Sequence, residues 1–233
     1  MFDDNVFQAE RRRFEWDVRV LIGRGLQAAL ETLTHHLNRE FEQIVEWSKN
    51  PEVTSAEATE ARADAVTQME EQATFLRNSA LVMLVSRLDL VLRRMARLGD
   101  SLASRKAGRY QGRFQGAGFG RLWNEYEARF GFDFIADAGE IDFVEAMALA
   151  RNLIVHQGAQ AVFEDPNGSL NVEFAEANPQ YVVHSSVCIS HELLEDNIGR
   201  SLCLVEWVAN RLRELEVGDP AEWPNSYSPL TPD

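Results

Sequence analysis

The densest group of chemically useful side chains in the sequence is the run Arg151-Asn152-Leu153-Ile154-Val155-His156. Asn152 and His156 are four residues apart, so they share one face of a helix, and Arg151 is rotated by about 100° but is long enough to reach the same opening. A histidine in the last turn of a helix lies at the negative end of the helix dipole, which favours its protonated form. This placement suits a proton donor.

The elements that must position this motif are predicted from hydrophobic spacing. The chain has only seven prolines, which leave long proline-free stretches that favour helices. Apolar residues at three- and four-residue steps predict a helix over about 7–48, with Gly23 and Gly25 as candidate points of interruption. The capping-box pattern of Thr54 and Glu57 predicts a second long helix, and the short loop between the two predicts antiparallel packing.

Further elements follow downstream. A short helix is predicted to carry Leu122, Trp123, Tyr126 and Phe130, and the motif itself lies near the end of a helix that Gly158 closes. Apolar residues then alternate at period two from Leu170 to Ile189, which predicts a β-hairpin over about 168–190. Ser190 is the predicted cap of the last helix.

These elements predict a mainly α fold, a helical bundle with long antiparallel helices and a small β-hairpin insertion before the last helix. Residues 1–217 are predicted to form one domain, and 218–233 a proline-rich tail that frays. The N-terminus is acidic and no apolar run is long enough to span a membrane, so a cytoplasmic protein is expected. Cys188 and Cys203 are too few for a disulfide framework and are interpreted as reduced packing residues.

Charge is segregated along the chain. The 23 basic and 37 acidic residues give a net charge of −14, which argues against indiscriminate binding of nucleic acid. The window from Arg93 to Arg121, however, holds eight basic residues and one acidic residue, so it carries +7 and the rest of the chain −21. A local basic site is therefore compatible with the composition.

The Arg-Asn-x-x-x-His element resembles the R-x4-6-H signature of the HEPN (higher eukaryote and prokaryote nucleotide-binding) domains. The stretch from about Phe75 to Leu212 has the order of helical elements found in that family. The first 70 residues and the basic, glycine-rich segment at about 105–121 are less diagnostic. The resemblance implies a metal-independent endoribonuclease that acts as a toxin or phage-defence effector. It also implies an inhibitory partner, such as an antitoxin, or an activating defence-system partner.

The resemblance further implies how the motif would work. Two copies of it would meet across one cleft in a symmetric homodimer, because a single histidine cannot easily serve as both the base and the acid of RNA cleavage. Arg151 would hold the scissile phosphate, and Asn152 would orient His156 or the phosphate. The products would be a 2′,3′-cyclic phosphate and a 5′-hydroxyl, with no metal and no cofactor.

Two other interpretations of the motif remain open. The chain could be a non-catalytic helical module that binds a nucleotide or a protein partner. Alternatively, Arg151 could form a structural salt bridge while a neighbouring carboxylate satisfies His156.

The glycine-rich segment at about 105–121 lacks an apolar period and is predicted to be a flexible loop. It could wrap single-stranded RNA by charge and stacking, it could dock an acidic partner, or it could simply be mobile. The candidate RNA-binding residues in it are Arg105, Lys106, Arg109, Arg113 and Arg121.

The remaining histidines predict no metal site. His35 and His36 are adjacent and point about 100° apart on a helix, so they are interpreted as exposed surface residues. His184 and His191 have no cysteine or carboxylate at ligand spacing. The sequence also has no P-loop, no G-x-S-x-G element and no strand-linked G-x-G-x-x-G element, so no cofactor is expected.

Overall fold

The computed structural model describes residues 6–107, 109–110, 118–134, 141–157, 170–183, 186–217 and 228–229, with side chains over 6–102, 118–134, 141–156, 174–183 and 186–216. The described chain is mainly α, as predicted. In chain order its elements are α1 (Val6–Trp16), a π-helical segment (Asp17–Arg24), α2 (Gly25–Trp47), α3 (Ser55–Ala107), β1 (Arg109–Tyr110), α4 (Phe119–Phe130), α5 (Asp142–Gln157), α6 (Leu170–Ala177), a 3₁₀ turn (Pro179–Tyr181), β2 (Val182–Val183), β3 (Ser186–Val187), α7 (His191–Val217) and β4 (Ser228–Pro229).

The first predicted helix is continuous but changes its winding. The π-helical segment separates α1 from α2, and the two predicted interruption points, Gly23 and Gly25, lie at its C-terminal end. The buried residues Phe14, Val18 and Ile22 recur at every fourth position. On an α-helix, residues four apart are rotated by about 40° around the helix axis, so the direction of successive side chains would drift away from the core. The wider turn of a π-helix reduces this drift, so these side chains stay directed at the core.

The second predicted helix begins with the predicted capping box. The backbone N–H of Thr54 donates to Glu57 Oε2 at 2.8 Å, and the backbone N–H of Glu57 donates to Thr54 Oγ1 at 3.3 Å. The backbone N–H of Thr54, together with its hydroxyl, which donates to Glu57 Oε2 at 2.8 Å, holds the pKa of the Glu57 carboxyl below its usual value. α2 packs against the first half of α3 and buries only Leu26, so the two helices form an arm with largely exposed outer faces.

The middle of α3 is the centre of the core. Leu81, Leu84, Leu88 and Leu92 are fully buried. Helices α1, α4, α5 and α7 all pack against α3. The position of each of these four helices is therefore fixed by its packing against α3.

The hairpin prediction is right in kind and wrong in extent. Two short strands pair antiparallel before the last helix, with Val182 opposite Val187 and Val183 opposite Ser186. The predicted strand from Leu170, however, is the helix α6. Its glutamates and alanines are helix formers, and their propensity outweighs an alternation of only three apolar residues.

The structure tests two further predictions, the cap of the last helix and the fraying of the tail. The backbone N–H of Leu193 donates to Ser190 Oγ at 3.0 Å, which confirms Ser190 as the predicted cap. The tail was expected to fray, but its residues Ser228–Pro229 pair antiparallel with Arg109–Tyr110 of the glycine-rich segment. The division into one domain over 1–217 and a tail over 218–233 stays a prediction.

The hairpin is fastened to α3 by a buried amide. Asn78 donates from Nδ2 to the carbonyl oxygen of Val187 at 2.9 Å, and its Oδ1 accepts the backbone N–H of Ile189 at 3.2 Å. Arg77, the preceding residue, donates from Nε to the carbonyl oxygen of Ile189 at 2.7 Å. Together these bonds satisfy backbone groups that pairing between β2 and β3 does not reach.

We predict that Asn78→Ala lowers the free energy of unfolding by roughly 2–4 kcal/mol, because two buried backbone groups lose their partner and each unsatisfied group costs about 1–3 kcal/mol. Urea denaturation followed by circular dichroism measures the change. The control is Asn38→Ala on the exposed face of α2, which should change stability by less than about 0.5 kcal/mol. Equal stability of the two variants would contradict the role given to Asn78.

Candidate functional site

The motif lies on α5, the helix predicted to carry it. The inner face of α5 buries Val144, Met147, Ala150 and Leu153 against the core. Arg151 is partly exposed, and Asn152 and His156 are exposed. The predicted closing residue, Gly158, lies outside the described residues. Burial of the inner face thus fixes which side of α5 presents the polar residues.

Arg151 and Asn152 line a cleft between α3 and α5 that has a volume of about 540 Å³. Arg151 Nη1 donates to Asn152 Oδ1 at 2.8 Å. The resemblance implied that Asn152 orients His156 or a phosphate, whereas here it accepts a bond from the neighbouring arginine. The cleft is lined by Val85, Ser86, Asp89, Arg93, Gly118, Phe119, Ala148, Arg151 and Asn152.

The opposite wall of the cleft is formed by α3. Ser86, Asp89 and Arg93 are three and four residues apart, so they share one face of that helix. Arg93 Nε donates to Asp89 Oδ1 at 3.0 Å and to Asp89 Oδ2 at 2.9 Å. Sequence reasoning included Arg93 in the basic window but assigned no role to Asp89 or to this pair.

The cleft is locally positive on a strongly acidic chain. Its lining holds two arginines, Arg93 and Arg151, and one carboxylate, Asp89, which gives +1 against −14 for the whole chain. An anion entering the cleft therefore meets a favourable local potential.

His156 lies outside the lining of this cleft. It follows Asn152 by one helical turn, or about 6 Å along the axis, and it makes no hydrogen bond or ion pair with the described residues. Two large apolar side chains of α5 are exposed near His156. Leu149, seven residues before it and so on the same face, is 50% exposed, and Val155, which is rotated by about 100° from it, is 48% exposed. The structure therefore brings Arg151 and Asn152 together and leaves His156 on an open surface.

The third side of the cleft is the start of α4. Gly118 precedes that helix with φ +86° and ψ 158°, a backbone conformation that is essentially restricted to glycine. Phe119 is buried and stacks on Trp123 with 5.6 Å between ring centroids. Tyr126 donates from its hydroxyl to the carbonyl oxygen of Leu92 at 2.6 Å, which fixes α4 on α3.

Only one of the five predicted RNA-binding residues, Arg121, has a described side chain. The side chains of Arg105, Lys106, Arg109 and Arg113 lie outside the described residues. Arg121 is exposed in the first turn of α4 and does not line the cleft.

The other candidate residues carry no site chemistry in the described chain. His36 is exposed, with its Nε2 3.2 Å from Glu40 Oε1. His191 is also exposed, with its Nε2 3.5 Å from Glu195 Oε1. His184 lies outside the described residues. Both cysteines are free, and Cys203 is exposed, which corrects its interpretation as a packing residue.

The described ranges contain no group of three or more histidine, cysteine, aspartate or glutamate side chains that could hold a metal ion. No helix in them combines the length and apolarity needed to cross a membrane.

Comparison with protein-family models, with curated proteins and with solved structures found no match to the chain. The family resemblance therefore rests on the motif and on the order of the helices.

We predict that Gly118→Ala lowers the free energy of unfolding by roughly 1–3 kcal/mol, because a Cβ is strained in this conformation. The matched control is Gly120→Ala, two residues further along, where an added Cβ would meet only Glu145 Oε1 at 3.9 Å. That control should be neutral or slightly stabilising, since alanine is the better helix former. Thermal unfolding of both variants tests this, and a neutral Gly118→Ala would contradict it.

Proposed function

We propose that this chain is a metal-independent endoribonuclease of the HEPN type, a homodimer that acts as a toxin or phage-defence effector. The observation that carries the proposal is the arrangement on α5. Arg151 and Asn152 line a positively charged cleft, and His156 stands one turn away on an open face of the same helix. These are the residue types that the cleavage requires, on one continuous surface.

The proposed reaction needs three contributions. Arg151 binds the scissile phosphate with paired N–H donors and stabilises the charge that develops on it. A base removes the proton of the 2′-hydroxyl, whose oxygen then forms a bond to phosphorus. The bond from phosphorus to the 5′-oxygen breaks, and an acid protonates that oxygen. The products are a 2′,3′-cyclic phosphate and a 5′-hydroxyl.

His156 is the residue proposed for proton transfer. One imidazole cannot remove and deliver protons at the same moment, so two copies of His156 from two protomers would share these tasks. The exposure of Leu149 on the same face as His156 supports an interface there, because covering a large apolar side chain with a second copy of the chain lowers the free energy. An inhibitory partner, or the need for an activating partner, would restrain the enzyme in its host.

A second candidate function is a catalytically inactive module that binds a nucleotide. The specific observation in its favour is that His156 does not line the cleft. A cleft of 540 Å³ lies within the range of about 300–1,000 Å³ that small-molecule sites occupy. In that case Arg151 would bind the nucleotide phosphate and no bond would break.

We predict that the purified chain cleaves end-labelled total RNA in excess EDTA. His156→Ala should lower the rate by roughly 10²–10⁴-fold, as expected for loss of a general acid–base group. Arg151→Ala should lower it by roughly 10²–10³-fold, as expected for loss of a donor to the developing charge. The control is His191→Ala, another exposed histidine of a helix, which should leave the rate unchanged.

If wild type and His156→Ala are equally inert but a labelled nucleotide binds in an Arg151-dependent way, the second candidate function is favoured. Cleavage that EDTA abolishes would contradict the metal-independent mechanism.

We predict that the wild-type chain sediments as a dimer and that Leu149→Asp shifts it to a monomer and abolishes cleavage, because a carboxylate cannot be buried in an apolar interface without a partner. Sedimentation velocity and the RNA cleavage assay give the two readouts. Phe75→Asp on α3, where the native side chain is 70% exposed, is the matched control and should change neither. A wild-type monomer that cuts RNA would exclude the composite site.

A further inference from the structure

The α3 wall of the cleft presents a carboxylate, Asp89, that the proposed reaction does not use. Asp89 lines the cleft opposite Arg151, and its side chain is 36% exposed. An ionised carboxylate only accepts hydrogen bonds, and its charge repels every phosphate of an RNA strand. The donors that RNA offers to it are the 2′-hydroxyl groups and the N–H groups of the bases.

The carboxylate of Asp89 is held in one plane. Arg93 Nε donates to Asp89 Oδ1 at 3.0 Å and to Asp89 Oδ2 at 2.9 Å. Each carboxylate oxygen has about two lone pairs, so each keeps an acceptor position after the bond from Arg93. Two acceptors that lie side by side fit two parallel N–H donors, which no single hydroxyl group provides.

Guanine is the RNA base that matches this pair of acceptors. Its Watson–Crick edge carries N1–H beside the N2 amino group, whereas adenine and cytosine carry one amino group there and uracil one N–H group. The cleft also has apolar surface for a planar base, because Val85, Phe119 and Ala148 line it.

We propose that the cleft selects guanine, with Asp89 accepting hydrogen bonds from N1–H and N2–H of the base whose 3′-phosphate Arg151 binds. This inference rests on the proposed function and names its substrate class, RNA that is cut on the 3′ side of guanosine. The nucleotide then spans the cleft, with its base at α3 and its phosphate at α5. The same recognition would serve the second candidate function, with a guanine nucleotide as the ligand.

The chain offers a matched control for Asp89. Asp17 also pairs with an arginine of α3, since its Oδ2 lies 3.4 Å from Arg87 Nη1, but it does not line the cleft. Asp89→Asn and Asp17→Asn each remove one negative charge and weaken one ion pair with α3. If the role of Asp89 were only structural, its loss would affect all four bases alike.

The first experiment measures binding of nucleoside 3′-monophosphates to the full chain by isothermal titration calorimetry. Guanosine 3′-monophosphate should bind roughly 5–150-fold more tightly than its adenosine, cytidine and uridine counterparts, as expected for one bidentate pair. Inosine lacks the N2 amino group and 1-methylguanosine lacks N1–H, so their 3′-monophosphates should lose most of this preference. These analogues require no variant. Asp89→Asn should abolish the preference for guanine, and Asp17→Asn should keep it.

The second experiment measures cleavage of oligonucleotides that differ only in the base on the 5′ side of the scissile phosphate. For the wild type and Asp17→Asn, kcat/KM should be highest with guanosine at this position, by a similar factor. For Asp89→Asn the four substrates should react alike. The ratio between substrates does not depend on the fraction of a variant that folds.

The outcomes separate this inference from the proposed function. If the wild type cuts RNA without preference for guanosine, or if Asp89→Asn keeps the preference, the role of Asp89 is overturned and the endoribonuclease stands. If the wild type binds guanosine 3′-monophosphate through Asp89 but cuts no RNA, the proposed function fails and the selection of guanine stands. If it neither binds these nucleotides nor cuts RNA, both fail.

Discussion

Burial of the middle of α3 is the constraint on which the rest of the structure depends. Each fully buried leucine of this stretch contributes about 1.5–3 kcal/mol, and Leu81, Leu84, Leu88 and Leu92 together require cover on several sides. Helices α1, α4, α5 and α7 supply it. Once these leucines are buried, the pitch of the helix dictates where Asp89 and Arg93 emerge. The polar wall of the cleft is thus a consequence of the apolar core.

Polar contacts then fix the orientation of the elements that apolar burial alone would leave free. The buried Arg129 of α4 pairs with Asp100 of α3 and with Glu125 of its own helix, and burial raises the pKa of Asp100 even though Arg129 faces it. Burial likewise raises the pKa of Tyr126 well above its usual value, so its hydroxyl remains a donor to α3. These contacts hold α4, and with it Gly118, at one edge of the cleft.

The sequence predicted those features that depend on one helix at a time. Helical spacing and caps located α3, α4, α5 and α7. The π-helical winding of Asp17–Arg24 and the helix α6, in contrast, depend on packing and on helix propensity, which the spacing of apolar residues does not reveal. The site was predicted in part for the same reason. The spacing places Arg151, Asn152 and His156 on one surface, but only the packing of α3 against α5 makes Asp89 and Arg93 neighbours of Arg151.

The acidity of the chain need not exclude an anionic substrate, because much of it lies on the arm. Residues 25–76, from α2 through the first half of α3, hold ten acidic and three basic residues, which gives −7 of the total −14. Along α3 the separation from Glu71 to Asp89 is about 27 Å, at a rise of about 1.5 Å per residue. This distance exceeds three Debye lengths at physiological ionic strength, each about 8 Å. At the cleft, therefore, the arm's carboxylates on α3 are largely screened, and an approaching phosphate meets a lining whose own charge is +1.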